Sequence, residues 1–221
     1  MINTILIFAE TILCYIAFVV LYKKYKTDGL YIFAIFATFI ACVMNLKTIE
    51  IMNIGVPLGF GITTSIVLAG NLITQRQGLE EIKNYILIIL ITGVVALGTL
   101  NLSGMLNSSE YNYLANKAYD NIFVYNIRMY LALIISTVTS VYLSTNLFYT
   151  IKRIKNKIIL SNIFSIIITE FFENIIFVLI AYLFEYKGID IILCIIFRYT
   201  IKSVIGMLGT IPLYIANKLN W

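Results

Sequence analysis

Apolar runs of about twenty residues recur from Ile2 almost to the C-terminus, and they constrain this chain more than any motif in it. At 1.5 Å per residue a helix of that length crosses a ~30 Å hydrocarbon core, with every backbone amide satisfied inside its own segment. A soluble fold could not cover so much apolar surface: 61% of the 221 residues are hydrophobic, 12% are charged, and mean hydropathy is +0.94. The pattern predicts an all-α fold, a polytopic membrane bundle of about seven transmembrane helices, forming one domain over residues 1–221. The predicted segments are 2–22, 30–46, 55–74, 84–102, 122–149, 158–184 and 189–217. The first has no basic n-region and no small-residue cleavage site, so it reads as a retained helix.

Seven segments make the loops alternate between the two sides. Loops on one side and the C-terminus carry Lys23, Lys24, Lys26, Arg76, Lys83, Lys152, Arg153, Lys155, Lys157 and Lys218, against Lys47, Lys117 and Lys187 on the other. The positive-inside rule then predicts an external N-terminus and a cytoplasmic C-terminus. The same rule accounts for the net charge of +5, so no nucleic-acid partner is called for. The loops offer neither an amphipathic surface helix nor a low-complexity tract.

Two acids stand out within the sixth segment. Glu170 and Glu173 are three residues apart near its middle, hence on one helix face, with Asn174 beside Glu170 at i,i+4. An intramembrane carboxylate costs several kcal/mol unless it is neutral, paired or wetted. The seventh segment carries Arg198 and Lys202, also at i,i+4 and at matching depth. Acids on one segment and bases on the next suggest a protein-lined polar site; the alternative is an ion-pair network that only locks two helices together. Hydroxyls and amides fall inside several segments, among them Thr63, Thr64, Ser65, Asn71, Ser136, Thr137, Thr139, Ser140, Ser144 and Asn146. Each could bond back to its own helix, but together they suggest a shared cavity. The third segment is rich in small residues that permit close helix contacts, including a weak GxxxG match at Gly55 and Gly59.

Several chemistries are excluded. Histidine is absent, which removes HExxH, Cys–His and Ser–His sites. Cys14, Cys42 and Cys194 lie far apart in apolar segments, indicating neither a disulfide framework nor a metal site. There is no GxxxxGK[ST] phosphate loop. No enzyme, cofactor or metal is expected.

The stretch LYKKYKTDGLYIFAIFATFIACVMNLKTIEIMNIG, followed by PLGFGITTSIVLAGNLITQRQG, resembles the N-terminal half of the vitamin uptake transporter family. Members of that family are usually described as queuosine precursor transporters. The later half agrees in order and spacing, with Arg128, the basic linker, Glu170 and Glu173, then Tyr199, Lys202 and Pro212. Lys47, Glu50 and Gly78 also agree with the family pattern. Cys42 and Met44 stand where the family usually has Asn and Gln, and Glu170 and Glu173 where it has Gln and Asp. The family's D-x-x-[ST]-E-x-Y-G is here Asn71-Leu72-Ile73-Thr74-Gln75-Arg76-Gln77-Gly78.

The resemblance implies a six-helix transporter core with an extra N-terminal helix. Its implied substrates are 7-deazaguanines (preQ0, preQ1 or queuine) taken up as small heterocyclic nutrients by a secondary transporter. The substituted positions mark a divergent member. Glu170, Glu173, Asn174, Lys202, Arg128, Asn71, Tyr199 and Gln75 are the candidate residues for substrate binding or coupling. Three other readings stand beside it: the substrate-binding membrane subunit of an ATPase-driven vitamin transporter, a non-transporting membrane protein of structural or immunity type, and a carboxylate-using membrane enzyme. The expected partners are the bilayer and a small-molecule substrate, with a homo-oligomer left open.

Overall fold

The structure, a computed structural model, describes all residues except Met1, Met52, Asn53, Ser108, Val124, Tyr125, Asn126, Phe184, Tyr186, Lys187, Asn220 and Trp221. Among the described residues, eight helices and one short β-hairpin follow in the order α1 (Ile2–Met44), β1 (Thr48–Ile51), β2 (Ile54–Pro57), α2 (Phe60–Gln77), α3 (Ile82–Gly104), α4 (Tyr113–Phe123), α5 (Ile127–Lys155), α6 (Ile158–Tyr182), α7 (Gly188–Leu208) and α8 (Thr210–Lys218). The chain is a helical multi-pass membrane protein, with five helical stretches among the described residues long and apolar enough to cross a bilayer.

The first of those stretches is not straight. Lys26 has a left-handed φ of 55° with ψ −134°, which breaks α1 into limbs 2–25 and 27–44. The limbs fold back on each other. Phe18 and Phe33 meet edge to face at 5.8 Å, although fifteen residues of straight helix would separate them by about 22 Å. At the bend Gly29 lies so close that a Cβ there would run into the carbonyl oxygen of Leu21. This reversal corresponds to the boundary predicted between the first two segments.

The hairpin was not predicted. β1 and β2 pair antiparallel with Thr48 opposite Pro57 and Ile49 opposite Val56, and Leu58 N–H donates to Lys47 O at 2.9 Å. Thr48, Ile49 and Val56 are β-branched residues that suit a pleated strand. Its presence corrects the predicted third segment, which begins at Phe60 and not at Gly55. Gly55 lies in a strand and Gly59 at the helix N-cap, so the GxxxG match is not a helix-packing pair.

α2 is the axis of the bundle. Every residue from Phe60 to Thr74 is buried, and the helix touches α1, α3, α5, α7 and α8. Its small side chains allow this: a Cβ on Gly61 would collide with Thr11, and one on Gly70 would press on Thr145, Tyr85 and Val141 at 3.2–3.3 Å. α5 and α6 pack along much of their length, and α7 lies against α6 and α2. Large exposed apolar side chains such as Leu13, Phe36, Val94, Phe164 and Ile196 form the outer, lipid-facing surface.

α4 corrects a second expectation. Leu114, Ala118, Ile122 and Phe123 gather on one side of it, and Asn116, Lys117, Asp120 and Asn121 on the other, making an amphipathic helix where the sequence reading expected only a polar loop. The fifth span begins at Ile127 rather than near 122; residues 124–126 at the predicted boundary lie outside the described residues. Of the predicted link between the sixth and seventh segments, Lys187 lies outside the described residues.

Candidate functional site: a buried charge cluster

Four ionisable side chains meet where α6 and α7 pack against α2 and α5. Glu170 and Glu173 project from α6, Arg198 and Lys202 from α7, and each is 1% exposed. Lys202 Nζ bridges the two acids, 2.9 Å from Glu170 Oε2 and 2.7 Å from Glu173 Oε2. Arg198 Nη2 lies 3.5 Å from Glu173 Oε1. Two acids and two bases cancel formally, which a site without bulk water requires.

Neutral groups complete the shell. Thr64 Oγ1 on α2 donates to Glu170 Oε1 at 3.1 Å, and Ser136 Oγ on α5 donates to Glu173 Oε1 at the same distance. Asn174 accepts a hydrogen bond from Arg198 Nε at 2.9 Å on its Oδ1 and donates to the Glu170 backbone carbonyl at 2.6 Å. The Arg198 guanidinium sits 3.9 Å from the centroid of the Phe177 ring, a cation–π contact inside the bundle. The helical period explains the geometry: i,i+3 on α6 and i,i+4 on α7 aim both pairs into one interface.

The two acids are not equivalent. Glu173 has Lys202, Arg198 and Ser136 as partners, whereas Glu170 has Lys202 and Thr64. Glu170 therefore depends on Lys202 alone for a full opposite charge within 4 Å among the described residues. On α5 and α7, close in the chain to Ser136 and Lys202, the buried hydroxyls of Thr137, Ser140 and Ser203 have no hydrogen-bond partner among the described residues. Most other intramembrane hydroxyls bond back to their own helix, as Thr63, Ser65, Thr145 and Thr169 do. Those three do not, and each keeps a polar group to offer.

A second, uncharged layer surrounds Asn71. Its Nδ2 donates to Asn162 Oδ1 at 2.9 Å and to Ser144 Oγ at 3.1 Å, and Asn162 Nδ2 donates to Thr210 Oγ1 at 2.9 Å. Asn71 thus links α2, α5, α6 and α8, two helical turns along α2 from Thr64.

The remaining candidates lie elsewhere. Arg128 is at one end of the bundle, 39% exposed in its side chain, where it pairs with Glu185 at 3.5 Å and donates to the carbonyls of Ile180 and Leu183. It closes the C-terminal turn of α6, whose last carbonyls have no intrahelical donor. Tyr199 faces away from the cluster and meets the exposed Phe171 edge to face at 5.8 Å. Gln75 lies at the opposite end, beside the basic residues of α5. Arg198, Thr64 and Ser136 belong to the cluster but not to the sequence-derived candidates. Arg198 had a signal in its i,i+4 spacing to Lys202; the two hydroxyls had none that set them apart from their neighbours.

A family model for vitamin uptake transporters matches residues 57–216. The chain belongs to the vitamin uptake transporter family. The matched range opens at the end of β2 and takes in all four charged residues of the cluster, together with Thr64, Ser136 and Asn174. No curated protein and no solved structure matches the chain.

Proposed function

We propose that this member of the family is an uptake permease for a small, partly polar heterocycle, most specifically a queuosine precursor of the 7-deazaguanine class. The observation that carries this reading is the neutralised quartet of Glu170, Glu173, Arg198 and Lys202, buried between four helices within the family-matched range. Burying four charges in a membrane bundle is expensive, and hydrophobic residues would hold the same helices together as well or better. A ligand-exchange role accounts for that cost. In this state Lys202 occupies Oε2 of both acids; a solute with N–H donors along one edge would take over those oxygens as Lys202 withdraws. A 7-deazaguanine offers such an edge of ring and exocyclic N–H groups, which carboxylates accept. The unpartnered hydroxyls of Thr137, Ser140 and Ser203 would serve its remaining polar atoms.

Seven crossings fit this reading: the two limbs of α1, the buried α2, then α3, α5, α6 and the pair α7–α8, all in a single inner-membrane domain. The loop charges favour an external N-terminus. Energy would come from an ion gradient or from trapping of the solute after entry.

The test is restoration of tRNA modification in cells that cannot make queuosine, supplied with preQ1 or queuine. Modification should return with the wild-type chain. Glu173→Gln should lower uptake at least tenfold and Ser140→Ala less than threefold, because only the first removes a charge that balances Arg198 and Lys202. No restoration by a well-expressed protein, beside a working related transporter, would reject the deazaguanine class.

A further inference from the structure

The basic end of the bundle holds a second site that the charge cluster does not use. Where α2 and α5 end side by side, Gln75, Gly78, Tyr149, Lys152, Arg153 and Asn156 border a pocket of about 590 Å³. Arg76 and Lys155 lie beside it in the chain, and among the described residues no carboxylate comes within 4.0 Å of Arg76, Lys152, Arg153 or Lys155. Gln75 Oε1 is buried without a hydrogen-bond partner among the described residues, so an occupant must also offer it a donor such as a hydroxyl. Gly78, at φ 94°, faces open space where a side chain would stand. α6 then starts at Ile158 with no side-chain cap on its first amides, adding partial positive charge at the same end. An uncompensated cationic pocket calls for an anion.

The surroundings decide which kind. Tyr142, Tyr149 and Arg153 share one face of α5 at i, i+7 and i+11, and all three are exposed. That face runs from the pocket up the outer surface of the bundle, so the pocket opens beside lipid as well as water. An aromatic stripe leading to basic side chains suits acyl chains below a charged headgroup. We infer that the pocket holds the phosphate of an acidic phospholipid, with Lys152 and Arg153 as its charge partners and the acyl chains along the Tyr142–Tyr149 face.

The experiment uses the purified full-length chain in mild detergent, titrated with phosphatidylglycerol, phosphatidylcholine or inorganic phosphate, and read by native mass spectrometry and by Tm. Phosphatidylglycerol should be retained at one molecule per chain and raise Tm; the other two should do neither. The double variant Lys152→Gln, Arg153→Gln should weaken phosphatidylglycerol ~30-fold, and Arg153→Gln alone, at an exposed position, ~5-fold. The single variant keeps the inference testable where the double variant does not fold. Lys155→Gln, Lys157→Gln should change it less than ~3-fold, being outside the pocket lining. Equal retention of phosphatidylcholine, equal stabilisation by inorganic phosphate, unaltered binding by the pocket variants, or an equal loss on changing Lys155 and Lys157 would each overturn the inference.

Discussion

Lys202 is the side chain on which the cluster turns, because its single ammonium serves both acids at 2.9 and 2.7 Å. Lys202→Met would leave Glu173 with Arg198 but strand Glu170 against one hydroxyl, and removing one partner of a buried pair costs about 3–5 kcal/mol. The expected outcome is a markedly lower Tm and yield of folded protein in detergent. Lys202→Met combined with Glu170→Gln should recover much of that loss, since the neutral amide needs no counter-charge while the Arg198–Glu173 pair persists. A double variant no more stable than Lys202→Met would show that Glu170 does not depend on Lys202. The sequence placed Glu170, Glu173 and Lys202 at compatible depths by spacing alone. It could not rank the acids, because rank follows from which helices supply Arg198, Thr64 and Ser136.

At the scale of elements, close approach decides where substitutions hurt. Gly29 sits against the Leu21 carbonyl at the fold-back of α1, and a backbone neighbour cannot move aside as a side-chain tip can. Gly29→Ala should therefore destabilise by about 1–3 kcal/mol. Gly98, inside α3 with nothing within 4 Å of a Cβ, should gain about 0.5–1 kcal/mol as alanine. Thermal melts of the two variants in detergent check the pair, and equal effects would refute the hairpin packing. α4 shows the opposite limit of sequence reading. Its eleven residues carry a clear apolar side, yet a stretch flanked by Asn, Ser and Glu reads as loop until its neighbours are in place. The β-hairpin escaped for a related reason: strands of four residues are too short for alternation to stand out from a polar connection.

Across the whole molecule, long-range contacts sort the chain ends. Asn3 donates to the Glu50 carbonyl at one end, while Gln77 donates to Thr27 and Arg76 to the Asn217 carbonyl at the other. The uncompensated bases gather with the second set, around Arg76, Lys152, Arg153 and Lys155. A reporter fused after the C-terminus should accordingly be active in the cytoplasm; activity confined to the periplasm would reverse the orientation. The same arrangement sets the Arg128–Glu185 pair at the first end, far from the basic pocket.

The sequence by itself determined the class of fold, because runs of about twenty apolar residues leave the backbone only helical ways to satisfy its amides in lipid. It also determined that Glu170 and Glu173 share a face and that Arg198 and Lys202 share another, since the helical period is a local property. Tertiary structure decided the rest. It turned α1 back at Lys26, buried α2 on every side despite its modest hydropathy, and carried Arg128 and Tyr199 away from the acids they had been grouped with. Which charges meet depends on helix rotation and packing between segments far apart in the chain, and no periodicity within one segment records that.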